Sequence, residues 1–162
     1  MCTRGFNRAW LPGPSTSLLY GAAVVTLGVL ANIDVDDLSR ATEFYCSALG
    51  LRVGRRFEDS AVELLGGTAP IYLLKKASGT ASSSAAAARR DYTRHWTPVH
   101  LDFVVPDIST ALTRARGAGA TLEGEVRTYK WGHIAVMADP FGHGFCLIEF
   151  LGRGYDEIAD PT

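Results

Sequence analysis

At 162 residues, 47% of them hydrophobic, the chain is long enough to bury one core and too short for two ordinary domains. Sixteen basic residues against seventeen acidic ones leave a formal net charge of −1 with no long basic run, which argues against a nucleic-acid partner. Cys2, Cys46 and Cys146 are too few and too scattered for a disulfide framework or a paired-cysteine metal site. They fit a reducing cytoplasm, with Cys46 and Cys146 expected in the core.

Residues 1–23 read as an N-terminal extension. Arg4 and Arg8 precede an apolar stretch over 18–30 that imitates a signal peptide, but Pro12, Pro14, Gly21 and Gly28 interrupt it and no convincing cleavage site follows. The stretch is also too short and too glycine-broken to cross a bilayer, so no membrane partner is expected. Truncation before Ala22 is expected to leave folding intact.

The first module is expected over residues 24–76. A β-rich run at 24–35 meets Asp37, suited to capping a helix over 37–49. Leu38, Ala41, Thr42, Tyr45, Ala48 and Leu49 make its apolar face, and Gly50 ends it. Short β-prone segments follow at 52–57, 61–65 and 71–75. Residues 77–94, with Ser82-Ser83-Ser84 and an alanine run, read as a flexible linker.

The second module, 95–150, repeats the order. A strand at 99–105 leads to Asp107 and a helix over 107–118, whose stripe is Ile108, Ala111, Leu112, Ala115 and Ala118. Gly117 and Gly119 mark its exit, and strands follow at 121–128, 132–138 and 145–150. A C-terminal tail occupies 151–162. Shifted by seventy positions, the sequence matches itself: Val35, Asp37, Ser39 and Ala41 meet the identical Val105, Asp107, Ser109 and Ala111. Two copies of one strand–helix–three-strand unit, forming one structural domain, account for that repeat.

Three strings carry a resemblance to a known superfamily. They are Asp36-Asp37-Leu38-Ser39-Arg40-Ala41-Thr42-Glu43-Phe44-Tyr45 with Leu49-Gly50-Leu51, Val99-His100-Leu101-Asp102-Phe103-Val104-Val105, and Asp139-Pro140-Phe141-Gly142-His143-Gly144-Phe145-Cys146-Leu147-Ile148-Glu149-Phe150. Over residues 24–150 the chain resembles the vicinal oxygen chelate superfamily of glyoxalases, bleomycin-resistance proteins and dioxygenases. The resemblance implies an α+β fold in which two βαβββ modules form one cupped, mixed or mostly antiparallel sheet with helices outside. It also implies a homodimer that covers the sheet edges.

Similar enzymes draw metal ligands from the opening and last strands of each module. The resemblance and the repeat then put His100 and Glu149 at the two ligand positions of the second module, with Leu30 and Lys75 opposite them in the first. Leu30 ligates nothing and a protonated Lys75 repels a cation, so the site is incomplete and no cofactor is expected. A divalent metal would have only His100 and Glu149. All four residues are expected to line one pocket, with Lys75 or His100 within hydrogen-bonding reach of Glu149. Tyr129, Trp131 and Phe141 add aromatic surface for a planar ligand. His143 is expected near the cavity mouth, and His95 and His133 in surface or loop positions.

Two functions fit those residues. One is a small-molecule-binding protein of the bleomycin-resistance kind with a degenerate metal site. The other is an enzyme: a glyoxalase-like lyase or ring-cleaving dioxygenase using His100 and Glu149, or a metal-free catalyst with Glu149 as general base and His100 or Lys75 as acid or charge stabiliser.

Overall fold

The computed structural model describes residues 28–85 and 87–160. The extension over 1–23, the truncation point before Ala22 and the first positions of the expected opening strand lie outside the described residues. The first half runs β1 (Ala31–Val35), α1 (Leu38–Leu49), β2 (Arg52–Phe57), β3 (Ala61–Leu65) and β4 (Ile71–Lys75). The second runs β5 (Leu101–Val104), α2 (Ile108–Gly117), β6 (Thr121–Leu122), β7 (Arg127–Tyr129), β8 (Gly132–Ala138) and β9 (Gly144–Phe150). A short 3₁₀ turn, Gly154–Glu157, follows.

Both helices begin as their sequences dictate. The Asp37 carboxylate accepts from the Arg40 amide at 2.9 Å, and Asp107 accepts from the Thr110 amide at 2.7 Å. Each aspartate satisfies an amide that the first helical turn leaves without a partner. Gly50, at φ 69°, closes α1 in the left-handed conformation that glycine adopts without a Cβ clash. The strand expected over 121–128 is split into β6 and β7, because Gly124 at φ 86° turns the backbone out of the extended region between them.

The α+β fold of two βαβββ modules is the one expected, and its cupped sheet surface is made by two mixed sheets, one per module. One has the order β1-β4-β3-β2; the other has β5-β9-β8-β6, with β7 also on β8. In each half the opening strand lies parallel to the last, β1 on β4 and β5 on β9, and the remaining pairs are antiparallel. The outer edges of β1 and β5 pair with nothing among the described residues, which is why one sheet becomes two.

One core nevertheless serves both halves. Val35, Phe44, Tyr45, Leu64 and Leu73 from the first half join Ile108, Met137, Phe141, Phe145 and Leu147 from the second in a single buried cluster. The helices meet across it, where the Arg114 guanidinium donates to the Ala48 carbonyl at 2.8 Å. Deeper in, the buried Tyr45 hydroxyl donates to Asp139 Oδ2 at 2.6 Å, while Asp139 Oδ1 accepts from the amides of Phe141 and His143, each at 2.8 Å. A carboxylate that is only 6% exposed stays tolerable because all these donors point at it. Burial, and then the Asp139 charge, hold the Tyr45 hydroxyl well above its ordinary pKa, so it remains a donor. Replacing Tyr45 with Phe should lower the unfolding free energy by about 2 kcal/mol, since the lost hydrogen bond has a charged acceptor. Urea denaturation measures this, and the unchanged helical signal of the variant would show that the fold persists.

Candidate functional site

A strand residue can face only one side of its sheet, and the core has already taken one side. In β5, Phe103 packs against the core and Leu101 shares its face, so Asp102 and Val104, with His100 just before the strand, face the other way. In β9, Phe145 and Leu147 face the core, which turns Gly144, Cys146 and Ile148 to the same side as His100. The parallel register sets Asp102 beside Cys146. The His100 imidazole, the Asp102 carboxylate and the Cys146 thiol consequently converge, with one ligand atom from each within 4.8 Å of the others. His100 Nε2 lies 3.2 Å from Asp102 Oδ1.

The same parity removes Glu149 from this group. Two residues beyond Leu147, it faces α2, and its Oε2 accepts from the Ile108 amide at 2.9 Å. The α2 N-terminus, not Lys75 or His100, is what meets its charge. Lys75 pairs in register with the fully buried Val35 and is exposed beside the start of α1, in a shallow depression shared with Asp36, Asp59 and Glu58. The internal symmetry between Lys75 and Glu149 is therefore real, but both lie on the helix side of their sheets. The expected four-residue pocket does not form. Its physical error is a choice of face: the last-strand position that meets His100 is held by Cys146.

Register also identifies the first-half counterparts of the trio. Asn32 pairs with Tyr72 as Asp102 pairs with Cys146, and Leu30 stands where His100 does. Among the described residues no second metal-binding set is found there. Instead, on the same face as Tyr72, the nearly buried Glu63 accepts from Arg55 Nε at 2.9 Å, from the Arg55 amide at 3.1 Å and from the Tyr72 hydroxyl at 2.7 Å. Those bonds, the Arg55 guanidinium foremost, hold the Glu63 carboxyl down at about 2.

Between the open edges of β1 and β5 lies a groove of about 910 Å³. Leu30, Ile33 and Val29 line it from the β1 side, and Val99, His100 and Phe103 from the β5 side. The connecting segment closes one end through Arg90, Tyr92 and His95, opposite His143. Two of the expected pocket residues, Leu30 and His100, are thus wall residues. Trp96 braces His100, with ring centroids 4.7 Å apart, and lies so close over Gly144 that a Cβ there would come within 2.1 Å of the indole.

The other expected pocket aromatics lie elsewhere. Tyr129 stacks on Trp131 with centroids 5.4 Å apart, and Trp131 also meets Phe150 and Tyr155, forming a separate surface cluster at the far end of β8 and β9. Phe141 is a core residue, 1% exposed, beneath the Arg40 guanidinium. His133 bonds to the Thr128 hydroxyl at 2.9 Å, away from the groove. Asp102 and Cys146 were missed as site residues. The i, i+2 spacing of His100 and Asp102 is visible in sequence, but pairing Cys146 with them needs the strand register.

Cys146 is 3% exposed and beside Asp102, and burial above all pushes its thiol up to about 12. Without a cation it is a neutral donor to Asp102 and a poor nucleophile.

Paired βαβββ modules, each closed by a parallel opening and last strand, define the vicinal oxygen chelate class. Residues 31–148 match the sequence model of the glyoxalase-like domain, and the chain belongs to that family. No curated protein sequence matches it. Among solved structures, TioX from Micromonospora sp. ML1 is similar at 17% identity and a TM-score of 0.60, covering 78% of this chain and 100% of that one. The fosfomycin resistance protein FosX from Listeria monocytogenes gives 15% identity and a TM-score of 0.60, over 79% and 96% of the two chains. Lactoylglutathione lyase from Agrobacterium tumefaciens gives 18% and 0.53, over 77% and 93%. At these identities the likeness is one of fold.

Because Glu149 caps α2 rather than serving the groove, Glu149→Gln should cost about 1 kcal/mol of stability. It should leave affinity for any groove ligand within twofold of wild type. Chemical denaturation and titration calorimetry on the same preparation separate the two effects.

Proposed function

We propose that this protein binds a small, largely apolar molecule in the groove between its two modules, in the manner of the bleomycin-resistance proteins it resembles. The observation that carries the reading is the groove itself. Its volume, about 910 Å³, falls within the range of pockets that hold drug-sized ligands, roughly 300–1,000 Å³. Its walls present apolar side chains that the fold leaves uncovered: Val99 is 83% exposed, Val29 72% and Leu30 59%. The charged groups at its end are already engaged, Arg90 with the Asp34 carboxylate at 2.7 Å and Arg89 with the Gly79 carbonyl at 2.8 Å. A neutral or weakly polar ligand suits such walls better than a strongly charged one.

The test is a thermal-shift screen over antibiotics and metabolites, followed by calorimetry on any hit. Leu30→Trp fills the groove from a half-exposed position. It should weaken binding at least tenfold while leaving the melting temperature without ligand within about 2 °C of wild type. A screen without hits, or a hit that Leu30→Trp does not weaken, counts against the proposal. A homodimer and a cytoplasmic location remain part of the same reading. The outer edges of β2 and β6, away from the groove, support the dimer, since a second copy would cover them, and light scattering at micromolar concentration decides it.

The His100, Asp102 and Cys146 trio favours a second reading, an enzyme of this superfamily. One imidazole, one carboxylate and one potential thiolate suit a borderline divalent cation such as zinc, and three protein ligands are what a catalytic site keeps. A metal held there would act as a Lewis acid toward a substrate oxygen, and His100 already forms part of the groove wall. Binding would have to displace the proton of a thiol whose pKa is about 12, so affinity should rise with pH. Elemental analysis and zinc titration check this: about one ion per chain, lost in His100→Ala, supports the enzyme, and no uptake in the wild type removes it.

A further inference from the structure

At the end of the groove two histidine rings stand in series between two backbone carbonyls. His95 Nδ1 lies 2.9 Å from the Thr93 oxygen, His95 Nε2 lies 3.0 Å from His143 Nδ1, and His143 Nε2 lies 2.8 Å from the Asp34 oxygen. A carbonyl oxygen only accepts, so both outer nitrogens must carry protons. The bond between the rings needs exchange of one further proton. Two neutral imidazoles hold two protons between them, one short of this requirement, and two imidazolium rings hold four, which sets N–H against N–H in the middle. Three protons, hence one positive charge shared by the pair, is the number that satisfies every contact.

We propose that His95 and His143 hold a single shared charge and act as a pH-sensitive latch between the connecting segment, the turn before β9 and the edge strand β1. The latch is complete in the singly charged state and incomplete on either side of it. What it joins is clear from the geometry. His143 reaches across the domain to Asp34 in β1, and the His95 amide donates to the Gly142 carbonyl at 2.9 Å, fixing the segment to the turn. All three elements bound the groove.

The surroundings tolerate positive charge on the pair, and the single bond between the rings limits it to one. Facing the pair are the carboxylates of Asp34, paired with Arg90, of Asp91, which accepts from the Thr93 amide, and of Asp139, which accepts from the His143 amide. The cations are Arg90 and Arg94, the latter donating to the Gly142 carbonyl, and the Tyr92 ring stands edge-on to His143. Glu123 neutralises Arg94 and Asp34 is paired with Arg90, so Asp91 and Asp139 are the carboxylates that favour positive charge on the rings. Because the rings share one hydrogen bond, the middle proton belongs to the pair rather than to either ring.

The experiment uses the full chain and does not depend on what occupies the groove, so a failed ligand screen leaves it intact. Side-chain nitrogen NMR across pH 4–9 should find His143 Nε2 and His95 Nδ1 both protonated through the middle of the range, with two separated steps. Limited proteolysis of the connecting segment should follow the same course. Cleavage should be slowest between the steps and about tenfold faster above and below them, as expected for loss of one charge-assisted hydrogen bond. His143→Phe keeps a ring against Tyr92 and should abolish the minimum. Independent titration of the two rings at a common pH, or a proteolysis profile without a minimum in the wild type, overturns the proposal. If His143→Phe does not fold, the wild-type NMR alone decides.

Discussion

The alternation of side chains along a strand governs everything this molecule can do. Each sheet commits one face to the helices, and that commitment is fixed by large residues such as Phe145, Leu147 and Val35, buried against α1 and α2. A polar residue next to them in sequence is then forced to the other face, and one two positions away is forced to the same face. His100, Asp102 and Cys146 meet for this reason. For the same reason Glu149 and Lys75, whose residue types look more suited to chemistry, are carried to the ends of the helices.

The second constraint is the parallel closure of each module. With β1 bonded to β4 and β5 to β9, each opening strand spends one edge within its own half. The other edges face each other across a space too wide for strand pairing, and that space becomes the groove. The connecting segment spans it with side-chain bonds rather than a strand ladder: Arg90 to Asp34, Tyr92 to the Lys76 carbonyl at 2.7 Å, and the histidine pair to β1. Links of this kind open more readily than ladder bonds, which suits the wall of a site that must admit a ligand.

Buried charge is treated alike throughout. Asp139 gathers a phenol and two amides, Glu63 an arginine and a phenol, and Glu149 the first turn of a helix. None depends on a metal. The trio differs from these, since among the described residues its side chains bond to one another, and the groove beside it leaves room for something further to bind.

Much of the fold was legible in the chain. The seventy-residue repeat, the aspartates before each helix and the glycines after them set the element order and nearly all the boundaries, because capping and periodicity are local and one residue carries each signal. The resemblance supplied the class, and the seventy-residue offset set Leu30 against His100. Which of Cys146 and Glu149 meets His100 was not legible. Both lie in one apolar strand, three residues apart, and the choice depends on the register of β9 against β5 and on which face the core claims. Nor did Tyr129, Trp131 and Phe141 announce that they would stack at a distant surface or sink into the core. The sequence by itself determined the modules, their order and their caps, since those follow from neighbours along the chain. Tertiary structure alone decided the two separate sheets, the groove between them and the residues facing it, since those follow from pairings between segments whose separation in sequence carries no mark of their contact.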